Sequence, residues 1–170
     1  MISPLGRVLR LILLFLLVGT AQTLLPQVWA PFGYIDGMMI AVGLVALRTS
    51  FAGAVWTGAL GGLIQDSLAG GILGLHAFAK TAVAAGLALL ADSFAVRGQL
   101  AEAAIVAAAT AIEGMIVRAL LLFLGWPGVQ STGELIVRAG VSGTVCGLGT
   151  VGIPLLVASW KQRRRGHRWR

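Results

Sequence analysis

Acidic and basic side chains recur within one apolar stretch, where they could pair with each other or bind a ligand. Gly58, Gly62 and Asp66 are spaced four residues apart, so on a helix they form one stripe of two small residues followed by a carboxylate. After a glycine-rich break, His76 and Lys80 are again four residues apart and begin the next helix. The pattern predicts a helical hairpin with an acid on one arm and two bases on the other.

Further ionisable residues fall in the later apolar segments, namely Glu113, Arg118, Glu134 and Arg138. With the hairpin residues Asp66 and Lys80 they make three acids and three bases. An unpaired ion in a low-dielectric interior costs several kcal/mol, so buried charges should balance. The balance predicts a polar cluster near one end of the helices.

Spacing along the chain suggests which charges pair. We expect Asp66 to pair with Lys80 across the hairpin. Glu134 should pair with Arg138, four residues further along the same helix. Glu113 and Arg118 are five residues apart, about 140° around a helix, and should have different partners.

Two interpretations of this polar cluster remain open. Ionisable groups inside a membrane usually mark a site, here one that binds a partner or a solute. The same charges can instead fix how the helices assemble, with no ligand involved.

The composition is that of a polytopic membrane protein. Of the 170 residues, 58% are hydrophobic and 11% are charged, and the mean hydropathy is +0.92. These values exclude an ordinary soluble globular domain. The apolar runs are continuous, which favours spanning helices. The single cysteine, Cys146, excludes an intramolecular disulfide, and we expect neither a metal nor a cofactor.

The hydrophobic runs predict an all-α bundle of six transmembrane helices, at residues 8–25, 37–47, 51–68, 75–91, 100–124 and 135–160. Pro26 should close the first helix, which we interpret as a retained anchor, not a cleaved signal peptide. Residues 26–36 should form an interfacial loop. The second helix is short for a span, so it is tilted, partly re-entrant, or begins inside that loop. One domain thus covers residues 1–160.

The basic residues predict the orientation in a cytoplasmic (inner) membrane. The loops at 26–36, 69–74 and 125–133 contain no Lys or Arg. The other side collects Arg7, Arg10, Arg48, Arg97, Lys161, Arg163, Arg164, Arg165, Arg168 and Arg170. By the positive-inside rule, both termini are cytoplasmic. The polybasic tail, residues 161–170, should lie against anionic lipids.

Small residues predict close helix packing, at Gly58, Gly62, Gly74, Gly143 and Gly147. These faces also permit a homodimer. Ser142 can bond a backbone group or a neighbouring helix.

Two enzyme-like motifs are weak. A G-x-G-x-x-G match at residues 147–152 lies within a membrane helix with no preceding strand. The segment Gly140-Val141-Ser142-Gly143 is similar to the serine motif of rhomboid proteases, for which His76 would be the candidate base. The rest of that family's pattern is missing, and we expect no enzyme activity.

The hairpin resembles the MreD family, small membrane proteins of the bacterial rod-shape (elongasome) system. The matching residues are Gly62-Leu63-Ile64-Gln65-Asp66 and Gly74-Leu75-His76-Ala77-Phe78-Ala79-Lys80. Length, six hydrophobic segments and a basic tail agree over the whole chain. The chain departs from the family at Ile35-Asp36, where a Pro-Asp start is common.

This resemblance implies a non-enzymatic partner of the bitopic protein MreC. Our leading hypothesis is that helices 3 to 6 form a rigid bundle with an outer-leaflet groove, which receives the membrane helix and juxtamembrane segment of MreC. It implies indirect links to RodA, a class B penicillin-binding protein and MreB, and through them control of peptidoglycan synthesis and cell shape. The implied fold is similar to that of the S components of energy-coupling-factor transporters. A small-molecule-binding transporter subunit of that type is the alternative, with Asp66, His76, Lys80 and Arg118 lining a solute pocket.

Overall fold

A computed structural model of the protein describes residues 4–93, 99–126 and 131–148, and every regular element within those ranges is a helix. The elements are α1 (Pro4–Val28), a short 3-10 helix (Ala30–Tyr34), α2 (Gly37–Ala46), α3 (Phe51–Ala69), α4 (Leu75–Ser93), α5 (Gln99–Phe123) and α6, helical over 132–148. The all-α prediction is confirmed for this part of the chain. Arg97, the predicted end of the sixth helix and the basic tail lie outside it.

Three helices are long and apolar enough to cross a membrane, at Val8–Val28, Leu75–Asp92 and Leu100–Phe123. Many large apolar side chains on them face outward, among them Leu17, Phe78 and Leu100. Such a surface is stable in lipid and unstable in water. The chain is therefore a membrane protein.

The sequence predicts that the first helix ends before Pro26, but the helix continues to Val28. A proline in the last turn of a helix removes only one backbone hydrogen bond, and the turn is completed by the Trp29 N–H, which donates to the Leu25 carbonyl at 3.0 Å. The predicted loop that follows is partly ordered, since its centre forms the 3-10 helix. The rings of Trp29 and Phe32 meet edge to face there, 5.1 Å apart.

The second helix is only ten residues long, and one side of it packs into the hydrophobic core. Asp36 caps its start, where the carboxylate accepts the Met39 N–H at 2.8 Å. Met38, Met39 and Val42 are fully buried and belong to the hydrophobic core. A ten-residue helix spans only about 15 Å, so α2 lies inside the bundle and does not cross a bilayer by itself.

Helices α3 and α4 form the predicted hairpin, with their backbones in contact. A Cβ atom at Gly58 would lie 2.6 Å from the Lys80 carbonyl oxygen, and one at Gly62 would overlap the backbone of Ala77. On another side of α3, a Cβ at Gly61 would lie 2.7 Å from Val42 Cγ2 on α2. Glycine therefore sets the distance from α3 to both neighbours.

Gly74 was predicted to pack helices, and here the structure corrects the prediction. No atom lies within 4 Å of a Cβ placed there, and the residue has a φ of +96°. That conformation is strained for any other residue, so Gly74 shapes the turn into α4.

Helix α6 packs on α5 through its small residues. A Cβ at Gly143 would lie 2.6 Å from Ala107 Cβ, and one at Gly147 would lie 3.2 Å from Ala103 Cβ. This contact places Ser142 and Arg138 of α6 beside the rest of the bundle.

Candidate functional site

A buried lysine lies at the centre of the charged residues. The Lys80 side chain, from α4, is 0% exposed. Its Nζ donates to Glu113 Oε1 of α5 at 2.9 Å and lies 3.6 Å from Asp36 Oδ1 at the start of α2. A buried ammonium is stable only with such partners. Lys80 therefore links α4 to both α2 and α5.

Asp36 links the start of α2 to α6. Its carboxylate is 0% exposed and accepts a hydrogen bond from Arg138 Nη2 of α6 at 2.7 Å. Its backbone N–H donates to Ser142 Oγ, also of α6, at 2.9 Å. A charge-assisted bond and a neutral bond therefore fasten α6 to the start of α2.

Glu113 is bonded to α4 twice. Besides Lys80, its Oε1 lies 2.9 Å from His76 Nδ1. An ionised carboxylate only accepts hydrogen bonds, so Nδ1 is the ring nitrogen that carries a proton. The Glu113 side chain is 2% exposed and that of His76 is 21% exposed, so the imidazole forms the outer edge of the cluster.

We call Asp36, His76, Lys80, Glu113 and Arg138 the ion network. With the imidazole neutral, its two carboxylates and two cations cancel. The members come from the start of α2 and from α4, α5 and α6, so the network crosslinks four parts of the fold. The balance of charge that the sequence predicts is present, but with different members.

The predicted pair between Asp66 and Lys80 is wrong. Asp66 accepts three backbone N–H groups at the start of α4, from Gly74 at 2.9 Å, His76 at 3.1 Å and Ala77 at 3.2 Å. The first N–H groups of a helix have no partner within it, and the helix dipole favours an anion there. The carboxylate is 2% exposed and is saturated by these donors.

The predicted pair between Glu134 and Arg138 is also wrong. Glu134 Oε2 accepts the Ser131 N–H at 2.9 Å, and Ser131 Oγ accepts the Glu134 N–H at 3.2 Å. This reciprocal capping box begins α6. It leaves the Arg138 guanidinium for Asp36.

The expectation that Glu113 and Arg118 have different partners is confirmed. Arg118 Nη1 donates to Thr132 Oγ1 at 2.6 Å, while Glu113 binds Lys80 and His76.

Asp36 and its role in the network were missed from sequence. The residue was assigned to an interfacial loop because prolines and aromatics precede it. An aspartate directly before an apolar helical run is also a helix-capping signal, which could have placed Asp36 at the start of α2. Nothing local indicates that Lys80 and Arg138 meet there.

The serine–histidine pair weighed above is not formed. Ser142 is fully buried and accepts the Asp36 N–H, whereas His76 bonds to Glu113. Across the described ranges, no three His, Cys, Asp or Glu side chains are grouped so that they could hold a metal ion.

Two concave surfaces flank the network. A cavity of about 180 Å³ lies between α4, α5 and α6 and is lined by His76, Glu113, Arg118 and Arg138 together with apolar residues. A groove of about 240 Å³ runs between α4 and α5 and is lined by Ala82, Val83, Gly86, Leu87, Leu90, Ile105, Ala108, Ala109, Ile112 and Ile116. The first is lined by polar and apolar residues alike, whereas only apolar residues line the second.

Comparisons of the chain with protein-family models, curated proteins and solved structures found no match. What the chain does must therefore be inferred from its own residues.

Proposed function

We propose that this protein is a non-enzymatic, six-helix scaffold of the MreD type in the bacterial inner membrane, with both termini in the cytoplasm and a fold like that of the S components. In this proposal it binds MreC and so helps regulate peptidoglycan synthesis and rod cell shape. RodA, the class B penicillin-binding protein and MreB are then reached indirectly.

A scaffold is supported by the positions of the residues that match the MreD family, because these residues hold the helices together inside the protein. Gly62 brings α3 against α4, Asp66 caps α4, and Lys80 centres the ion network. All three residues are buried. The Asp66 carboxylate and the Lys80 ammonium have their hydrogen-bond partners within the protein. Such internal bonds would keep rigid a surface on which another protein assembles. Asp66 and Lys80 are not available to contact a partner directly.

We place the membrane helix of MreC in the apolar groove between α4 and α5. With both termini cytoplasmic, this groove lies along the middle and the cytoplasmic half of α4, not in the outer leaflet where the sequence led us to expect it. Between lipid-facing helices, association depends on close packing against small residues. Ala82 and Gly86 lie four apart on α4, and Ala108 and Ala109 are the small residues on the α5 side. No atom comes within 4 Å of a Cβ at Gly86, so the groove has room for a helix at that point.

Filling the groove tests this proposal. Gly86→Leu adds a side chain where the fold has open space, so the protein should insert and fold while MreC co-purification is lost. Gly140→Leu is the matched control, because Gly140 on α6 is equally open and lies outside the groove. Equal recovery of MreC with both variants would refute this docking surface. Failure of the wild-type protein to capture MreC at all would refute the proposed function.

A small-molecule-binding transporter subunit is the second candidate, favoured by the cavity of about 180 Å³ beside the network. Such a subunit should carry a bound metabolite when it is purified in mild detergent, detectable by mass spectrometry of the denatured sample. A neighbouring gene for a transporter ATPase would favour this function, and one for a bitopic coiled-coil protein would favour the scaffold.

A further inference from the structure

Among the residues that the structure describes, Arg118 has no acidic partner within 4 Å. The chain contains six acidic residues, and all of them lie in the described ranges, at Asp36, Asp66, Asp92, Glu102, Glu113 and Glu134. The ion pairs found within 4 Å use Asp36, Glu102 and Glu113, and none includes Arg118. Its one hydrogen bond to a described residue is to the neutral hydroxyl of Thr132.

The partly buried Arg118 guanidinium lines the cavity between α4, α5 and α6. Arg138 lines the same cavity, and its Nε is buried with no hydrogen-bond partner among the described residues. A buried N–H donor without an acceptor is unfavourable, because it has lost its hydrogen bonds to water. Because the Arg138 Nε is closed to solvent, the unused donors that a guest in the cavity can reach are those of Arg118.

The charges around the cavity do not cancel. Among the residues that line the cavity, Glu113 contributes one negative charge, while Arg118 and Arg138 contribute two positive ones. Arginine stays protonated in proteins, so the positive charge of Arg118 and Arg138 remains at any physiological pH, and a proton on His76, which also lines the cavity, would add to it. A guest with a single negative charge would neutralise the site.

We propose that this cavity binds a monoanionic phosphate group, held mainly by Arg118, from either a phospholipid headgroup or a soluble phosphodiester. Guanidinium and phosphate form paired, charge-assisted hydrogen bonds. The cavity has the volume of about six water molecules, which accommodates a phosphate with its ester oxygens.

A phosphodiester suits the site better than a carboxylate because its charge does not depend on its neighbours. The Glu113 carboxylate, which also lines the cavity, opposes the ionisation of a second carboxylate, while the arginines favour it. A phosphodiester stays ionised in either case and offers two oxygens to the planar guanidinium.

Native mass spectrometry of the full chain in maltoside detergent tests the site, with phosphatidylglycerol as the lipid probe. The same diacylglycerol without its phosphate shows how much binding is due to the acyl chains alone. Glycerophosphoglycerol, the headgroup without acyl chains, is the soluble probe. Arg118→Gln should weaken phosphatidylglycerol binding about tenfold or more, because a charge-assisted hydrogen bond is lost. Arg118→Lys keeps the charge but loses the paired hydrogen bonds, so its binding should lie between those of Arg118→Gln and the wild type. Arg10→Gln, on exposed α1, should bind like the wild type.

Each result decides the matter. If Arg118→Gln weakens the binding of phosphatidylglycerol and the soluble probe does not bind, the site takes a lipid headgroup. If Arg118→Gln also weakens binding of the soluble probe, the site takes a soluble phosphodiester. Unchanged binding by a folded Arg118→Gln variant would overturn the proposal, as would a wild-type protein that binds neither probe. Loss of MreC capture in Arg118→Gln without any phosphate binding would also overturn it, in favour of an acidic side chain of the partner. The inference does not depend on the MreC proposal, whose test uses Gly86.

Discussion

Lys80 and Glu113 form a buried ion pair, with 2.9 Å between Nζ and Oε1 and side chains 0% and 2% exposed. They come from antiparallel neighbours, α4 and α5, and lie 33 residues apart in the chain. Asp36 and Arg138 complete the charge balance, so the Lys80–Glu113 pair belongs to the ion network that holds the helices together. Removing any one charge leaves another uncompensated in the interior.

We predict that Lys80→Met destabilises the protein by about 3–5 kcal/mol, the range for breaking a buried ion pair from one side. Thermal or denaturant unfolding of the detergent-solubilised protein measures the loss. Arg48→Gln is the control, because its pair with Glu102 leaves Arg48 58% exposed and should contribute about 0–1 kcal/mol. Adding Glu113→Gln to Lys80→Met should recover part of the stability. A Lys80→Met variant as stable as Arg48→Gln would show that the pair does not hold the fold.

We predict that Asp66→Ala destabilises α4 by about 2 kcal/mol, towards the upper end for loss of a helix cap. Asp66→Asn should lose clearly less, since its amide oxygen still accepts one of the three N–H groups. Hydrogen exchange at the amides of Gly74, His76 and Ala77 reports the cap directly. If Asp66 acted through its charge on Lys80 instead, Asn and Ala would be equally harmful and exchange at these amides would not change.

We predict opposite effects for alanine at two glycines. Gly62→Ala places a methyl group into the backbone of α4, and such overpacking costs about 1–3 kcal/mol or more. Gly86→Ala enters open space in a helix, where alanine is favoured over glycine by about 1 kcal/mol. The two melting temperatures should therefore move in opposite directions from the wild type. A Gly62→Ala variant that melts at or above the wild-type temperature would contradict the close α3–α4 contact.

Local sequence was sufficient to predict the hairpin. Helix α3 begins at Phe51 and α4 at Leu75, as predicted, because capping residues, glycine breaks and hydropathy act within a few residues. The small stripe on α3 also indicated close packing, since only glycine permits backbones to touch. The end of α1 was mispredicted because a proline in the last turn of a helix is tolerated.

The tertiary structure alone decided which charges meet. The sequence showed that acids and bases must balance in an apolar chain, because an isolated ion is too costly there. It assigned Lys80 to Asp66 and Arg138 to Glu134 because they are near along the chain. In the structure, however, both carboxylates bond backbone N–H groups at the starts of helices. Lys80 and Arg138 instead meet Asp36, 44 and 102 residues away in the chain, because packing of α2, α4 and α6 brings them to one place. Local capping competes with long-range pairing, and only the packed helices settle that competition.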